Sequence, residues 1–328
     1  MGTLSKFSNQ TRENQEIETS TKMMDCEAKG DIAGVEEKSS RLTLNARRNP
    51  RPSKNMLNQY KISKCFQSNM RSSVFGAVNR RTRQVVVLKS SQYSDAMVHA
   101  YDRIIKSSPE QTSGLIRPKD FYVDEDRHVQ LVLPYVKGGD LIEQILDAGP
   151  MSENEVRIRM RSVARGLRFL HDEVKVAHRD ISPENILIDE GDETILIDYG
   201  SCRRLVDKTR DTHGVKLTYL APELLKQHVS SDASSVCDLR KSDVWSLGCV
   251  IFVALFGIPP FETASLGDER FRHLKKYGFH SYIHAMMGPR LDVSDSALDL
   301  LQSMLDPNPE LRPTCIDILS HSWFEVEA

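Results

Sequence analysis

The chain has 328 residues, enough for one two-lobed enzyme domain or two smaller ones, each able to bury a core. Charged residues make up 27% and hydrophobic residues 39%, an ordinary globular balance. The net charge of −2 argues against a dedicated nucleic-acid binder, and no run reaches the roughly 18 apolar residues of a membrane span.

Six cysteines (Cys26, Cys65, Cys202, Cys237, Cys249 and Cys315) lie far apart, without CxxC or Cys/His metal spacing. With no secretory signal at the start, they read as free thiols in a reducing compartment, the cytoplasm, with nuclear entry left open. Met1-Gly2 lacks the Ser or Thr that N-myristoylation wants at position 6, where Lys6 stands.

Residues 1–57 are polar and carry no sustained period, so they read as a disordered tail. Its end holds Arg41, Arg47, Arg48, Arg51 and Lys54 with no acid among them, a solvated linker or a docking segment for an acidic partner. From Tyr60 the pattern changes. Val74, Val78, Val85, Val86 and Val87 predict a hairpin of strands, Ser94–Ile105 a helix, and Phe121–Val123 and Val129–Tyr135 two further strands turned by Asp124–Arg127.

After Gly138-Gly139 the chain turns helical. Ser152 and Glu155 form a capping box, and Val156, Met160, Val163, Leu167 and Leu170 repeat at helical spacing behind it. Arg157, Arg161, Arg165 and Arg168 line a solvated face. The run from Leu247 to Ile258 predicts a helix apolar on every side, hence buried. Strands first and helices after favour an α+β protein, with a small sheet lobe, a larger helical lobe and no internal repeat.

Chemistry concentrates in four ordered segments: His178-Arg179-Asp180 with Asn185 five residues beyond the Asp, then Ile195–Gly200 around Asp198, Ala221-Pro222-Glu223, and Asp243–Gly248. Any one of them is weak; the ordered set resembles the eukaryotic protein kinase family over about residues 60 to 324. The resemblance implies a bilobal kinase fold. An N-lobe with hinge would span 58–136, a small antiparallel sheet with one main helix; a mainly helical C-lobe would span 137–324, with a short tail over 325–328. It implies transfer of ATP's γ-phosphoryl group to a protein hydroxyl, with ATP and Mg²⁺ as cofactors. A pseudokinase scaffold or binding module is the alternative.

Phosphoryl transfer is mainly positioning plus neutralisation of spreading negative charge. On the resemblance, Asp180 orients the substrate hydroxyl as base, and Asn185 and Asp198 offer hard oxygen ligands to magnesium. Lys89, at the end of Val85–Lys89, matches the lysine that binds the α- and β-phosphates. Leu133 would gate the back of the nucleotide pocket. Backbone groups of Pro134 and Val136 would face adenine, and Val78, Val87 and Leu187 would sandwich it. Asp140 would lie near the ribose, cap a helix, or both; with Glu184 it is also a candidate reader of basic substrate residues. Glu223 and Arg312 resemble a buried ion pair, and Asp243 the acid that caps the catalytic loop from below.

The pattern also departs from the family. The phosphate-clamping loop runs Met70-Arg71-Ser72-Ser73-Val74-Phe75-Gly76, with Arg71 and Ser73 where glycines are usual. Glycine permits close backbone approach to phosphate, so weaker ATP affinity is expected. Tyr101 stands where the helix usually supplies a glutamate for Lys89, with Asp102 beside it. Ser182 replaces a lysine two residues after Asp180 and leaves the loop one cation short. Tyr199 replaces a phenylalanine, a mild change if its hydroxyl finds a partner.

Arg179, joined by Arg203, is expected to bind a phosphorylated residue in the segment after Asp198, with Thr212 ahead of Thr209 and Thr218 as the candidate. Val215-Lys216 replaces the usual Gly-Thr, but Pro183-Glu184 follows the Ser/Thr form. The ending Pro313-Thr314 to His321–Phe324 resembles the calcium/calmodulin-dependent group. With the chain stopping after that ending, calmodulin control is not expected. Lys226–Lys241 reads as a mobile surface insertion. Protein substrate, oligomeric state and upstream activator stay open.

Overall fold

In the computed structural model, residues 49–191, 193–207, 216–229, 237–288 and 292–325 are described. The tail through residue 48, Thr209, Thr212 and residues 230–236 of the expected insertion lie outside the described residues. The fold begins before the expected end of the tail. Helix α1 (Lys54–Gln59) starts at Ser53, whose hydroxyl accepts from Met56 N. Met56 and its neighbour Leu57 make no sustained period, yet Met56 is buried with Ala77, Val86, Leu88 and Val132. Two polar ties hold the same segment: Ser53 and Tyr122 share a hydroxyl hydrogen bond, and Gln130 Nε2 donates to the Arg51 carbonyl at 2.9 Å.

Strands β1 (Tyr60–Ser68), β2 (Ser72–Asn79) and β3 (Val85–Gln92) follow, then helix α2 (Asp95–Lys106), β4 (Asp120–Val123) and β5 (His128–Pro134). They form a five-stranded antiparallel sheet in the order β1-β2-β3-β5-β4. Lys89 does not end its strand, as the apolar run suggested: β3 continues through Ser90 and Ser91 to Gln92. Ser90 is tolerated there because its hydroxyl accepts from Gln130 Nε2 at 2.9 Å across the ladder.

The chain divides into two compact units, one up to Tyr101 with Arg117–Lys137, the other Asp102–Ile116 with everything from Gly138. The second unit holds α3 (Leu141–Ala148) and α4 (Glu153–Phe169). The Ser152/Glu155 capping box forms in both directions, and Val156, Met160, Val163, Leu167 and Leu170 are all buried. Short strands follow: β6 (Val176–Ala177), β7 (Ile186–Ile188), β8 (Thr194–Leu196) and β9 (Arg203–Arg204), pairing β6 with β9 and β7 with β8.

Helix α5 (Pro222–Val229) carries the first residues assigned above to the insertion, so Lys226–Val229 are helical. Helix α6 (Leu239–Phe256) is buried continuously from Ser242 to Leu255 and ends on Gly257 at φ 72°. It is too polar at its start to cross a membrane, and no described helix is long and apolar enough to do so. The chain closes with α7 (Glu269–Tyr277), α8 (Phe279–Met287), α9 (Asp295–Met304), α10 (Cys315–Leu319) and α11 (Ser322–Glu325), where Trp323 and Phe324 are buried.

One glycine decides how the second unit's strands meet its helices. Gly114 has φ +81°, and a Cβ there would stand 1.9 Å from the Ser162 carbonyl oxygen of α4. That close approach lets Gly114 O accept from Leu196 N at 2.8 Å and Ile116 N donate back to Leu196 O at 3.0 Å. Strand β8, which leads to Asp198, is thereby fixed along α4.

Candidate active-site residues

In the first unit, strand alternation and register sort the expected nucleotide-binding residues onto one face. Gly76, Val87 and Leu133 form one cross-strand row, and Val74, Lys89 and Leu131 the next. Val78, two residues beyond Gly76, shares that face. The opposite face, through Ala77, Val86, Leu88 and Val132, packs on Met56. Lys89 is thus a buried, mid-strand residue, only 7% exposed. Pro134 closes β5, and Val136 is buried just beyond it.

The β1–β2 turn is built without its two missing glycines. Asn69 Oδ1 accepts from Arg71 N and Ser72 N, both at 2.9 Å, an Asx turn that needs no left-handed residue. Met70 and Arg71 are exposed at its tip. Ser73 is fully buried, and its hydroxyl shares a 2.9 Å hydrogen bond with Ser68. Its side chain therefore alternates away from the face of Gly76 and Val78. On α2, Tyr101 is buried with its ring 6.1 Å from Phe121, so an apolar contact occupies the position where an acid is usual. Asp102 pairs with Lys106 at 2.8 Å, one turn on.

The second unit gathers the acidic half of the constellation around the loop after β6. Asp243, fully buried on α6, accepts from His178 N and Arg179 N at 2.7 Å each, and pairs with His171 Nε2 at 2.8 Å. A carboxylate aimed at two consecutive backbone amides fixes the loop's path, including Arg179 in the left-handed region at φ 68°. His178 links this loop to the strand bearing Asp198. Its Nε2–H donates to Ile197 O at 3.0 Å, while Nδ1 accepts from Asp180 N at 3.3 Å. Burial lowers the pKa of His178, consistent with the neutral ring those two bonds require.

Asn185 lies between Asp180 and Asp198. Its Nδ2 donates to the Asp180 carbonyl at 2.8 Å, which leaves Oδ1 as the free-facing acceptor, and its own carbonyl accepts from Ile197 N at 2.9 Å. Asp198 sits at φ 66°, with one carboxylate oxygen accepting from Gly200 N at 3.0 Å. A non-glycine residue held there is strained, a state that persists where the surrounding structure over-determines it. Desolvation raises the pKa of Asp180 to about 7; Lys216 pulls the other way, and Asp198 and Glu184 push with it. A carboxyl poised near neutrality suits proton transfer from an alcohol.

Asp140 serves as the N-cap of α3, accepting from Glu143 N at 2.9 Å, and burial raises its pKa to about 7. It bridges in register to Leu187 on β7. Glu184 is ion-paired with Lys216 at 3.2 Å. Tyr199 is buried, and its hydroxyl finds the carbonyls of Ile116 and Leu196 at 3.3 and 3.4 Å. Arg203 lies opposite Ala177 in the β6–β9 pair. Glu223 and Arg312 form the expected buried pair, bidentate at 2.7 and 2.8 Å.

The donor set fits magnesium nucleotide. Among the described residues no group of three or more His, Cys, Asp or Glu could hold a metal by itself. Asn185 and Asp198 present one amide oxygen and one carboxylate, the sparse oxygen set of a magnesium site completed by phosphate and water. Lys216, which in the sequence marks only an absent threonine, is brought within 3.2 Å of both Ser182 and Glu184.

A model of the protein kinase domain family matches residues 70–324. Serine/threonine-protein kinase CG17528 of Drosophila melanogaster is 30% identical over 283 residues, 82% of this chain and 35% of that protein. Aurora kinase B of Danio rerio is 28% identical over 260 residues, 78% of this chain and 76% of the relative. The crystal structure of Rad53 1-466 in complex with AMP-PNP aligns with TM-score 0.63 at 24% identity, over 82% of this chain and 66% of that one, a likeness of fold. The chain spans about a third of the length of the Drosophila relative.

Proposed function

The chain belongs to the protein kinase domain family, and from that premise we propose that it phosphorylates serine or threonine residues of protein substrates using ATP and Mg²⁺. The observation that carries this reading is the lock between Asn185, Asp180 and Ile197, which gathers a poised carboxyl and two oxygen donors in one unit. Asp180 accepts the hydroxyl proton. Asn185 and Asp198 hold magnesium, and Lys89 holds the α- and β-phosphates. ATP supplies the γ-phosphoryl group and its leaving diphosphate. Val78, Val87 and Leu187 sandwich the base, Leu133 gates the back of its pocket, backbone groups of Pro134 and Val136 face adenine, Gly76 belongs to the phosphate clamp, and Asp140 lies toward the ribose.

Ser/Thr specificity is favoured by Pro183-Glu184 and by the serine/threonine-protein kinase relative of Drosophila melanogaster. On this reading the N-lobe with hinge is 58–136 and the C-lobe 137–324. The Pro313–Phe324 ending, by its resemblance to the calcium/calmodulin-dependent group, favours that branch of the family. A cytoplasmic placement, with nuclear entry open, is testable by cell fractionation.

Radiolabelled transfer from ATP to a general protein substrate tests the core proposal. Wild type is expected to incorporate phosphate with magnesium and to stop on chelation, and Asp198→Asn to fall to background. Incorporation that survives both would sink it. We place the regulatory phosphate on Thr212, with Arg179 and Arg203 as the cations that would bind it. Activity is expected to fall at least tenfold in Thr212→Ala enzyme. Unchanged activity, with no phosphate at Thr212 by mass spectrometry, would remove that role.

A further inference from the structure

The catalytic loop carries Ser182 where a basic residue is usual, and the segment before α5 carries Lys216 where a hydroxyl residue is usual. The structure brings the two exchanged residues together. Lys216 Nζ donates to Ser182 Oγ at 3.2 Å and pairs with Glu184 Oε2, also at 3.2 Å. Ser182 is buried, and its carbonyl accepts from Asn185 N at 3.0 Å, so the contact reaches the residue that also binds the Asp180 carbonyl.

We propose that Lys216 is the positioning cation of the catalytic loop, supplied in reverse polarity from the segment before α5 and holding Ser182 and Glu184 in place beside Asp180. The inference rests on the kinase reading above and adds a residue to it. Three features support it. Lys216 is only a quarter exposed and Glu184 29% exposed, so their attraction is screened less than that of a surface pair. The ammonium reaches two residues of the loop at once, which fixes the loop rather than merely neutralising one acid. Lys216 acts on Asp180 against the push of Asp198 and Glu184. Removing it would leave three carboxyl groups crowded together without that cation.

The arrangement also bears on substrate choice. Glu184, expected to read basic substrate residues, is already engaged by Lys216, so a basic substrate side chain must compete for it.

The test is an exchange cycle on the full chain. Lys216→Met is expected to lower kcat about 10- to 100-fold with the KM for ATP nearly unchanged, because the lost charge acts on the loop and not on nucleotide binding. Lys216→Arg should retain most of the rate. The double variant Ser182→Lys with Lys216→Thr, which restores the usual polarity, should recover at least a third of it, whereas Ser182→Lys alone sets two cations against each other and should not. Independently of activity, hydrogen exchange on nucleotide-free protein should show the Asn185 amide losing protection in Lys216→Met and regaining it in the double variant.

Wild-type transfer with an unchanged kcat in Lys216→Met overturns the inference and leaves the kinase reading standing. Absence of wild-type transfer defeats the kinase reading, and the exchange data still decide the inference: equal Asn185 protection in wild type and Lys216→Met overturns it. Failure of the double variant to recover either property, while remaining folded, overturns the exchange as well.

Discussion

Asp180→Asn is expected to lower phosphate transfer about 10²- to 10⁴-fold, the usual contribution of a positioned general base, while making the nucleotide-free protein more stable at neutral pH. The two effects share one cause. Desolvation raises the Asp180 pKa from 3.8 to about 7, so the folded state holds the proton more tightly than the unfolded chain does. Stability from that group is therefore complete below about pH 4 and is lost as pH rises toward 7, because the unfolded chain ionises first. Asparagine carries no such charge. Its advantage over wild type should be small at pH 4, grow across that window and level off above pH 7.

The ceiling follows from about 1.4 kcal/mol per unit of displacement, reduced by partial solvent access. Denaturant titrations of both proteins at several pH values, with metal chelated, measure the difference. A stability gap that shrinks as pH rises, or transfer undiminished in the asparagine enzyme, would count against the role given to Asp180.

The second large effect concerns the clamp on α5. Arg312 is 1% exposed, yet all three guanidinium nitrogens are engaged: two bonds to Glu223, one each to the carbonyls of Lys241 and Asp306, and the Trp245 ring 4.9 Å beneath it. Ser242 adds a 3.1 Å bond to Glu223. Glu223→Ala leaves that cation buried without its counter-charge and is expected to cost about 3–5 kcal/mol, measured as a shift in denaturation midpoint. Glu223→Gln keeps one acceptor and should lose visibly less. Because α5 directly follows the segment carrying Lys216, activity should fall further than stability alone accounts for. A loss below about 1 kcal/mol for the alanine variant would mean that the pair is not holding α5.

Much of the candidate site was legible before any fold was known. Asp180, Asn185 and Asp198 sit in short segments whose residue types and spacing carry the chemistry, and the supporting Asp243 and Glu223–Arg312 contacts sit where those segments implied. The Ser152/Glu155 capping box and the apolar stripe behind it were equally plain, since a helix start and a helical face depend on neighbours three or four residues away. Elements with weaker local signals depend on distant partners. Polar Ser90 and Ser91 suggest a strand end at Lys89, whereas pairing with β2 and β5 carries β3 on to Gln92, with Ser90 bonded to Gln130 forty residues on. Met56 and Leu57 alone make no period, so the local sequence reads as tail, and the sheet supplies the burial of Met56.

The sequence alone therefore determined the α+β order of elements, the identity of the acidic loop residues and the departures at Arg71, Ser73, Tyr101 and Ser182. The tertiary structure decided what those departures mean. It turned Ser73 onto Ser68, buried Tyr101 against Phe121 and set Lys216 on Ser182 across 34 residues of chain. The physical reason is one of range. Helical period, capping and motif spacing act through a few bonds, whereas a buried hydroxyl or ammonium takes whichever partner packing brings within about 3 Å, wherever that partner lies in the sequence.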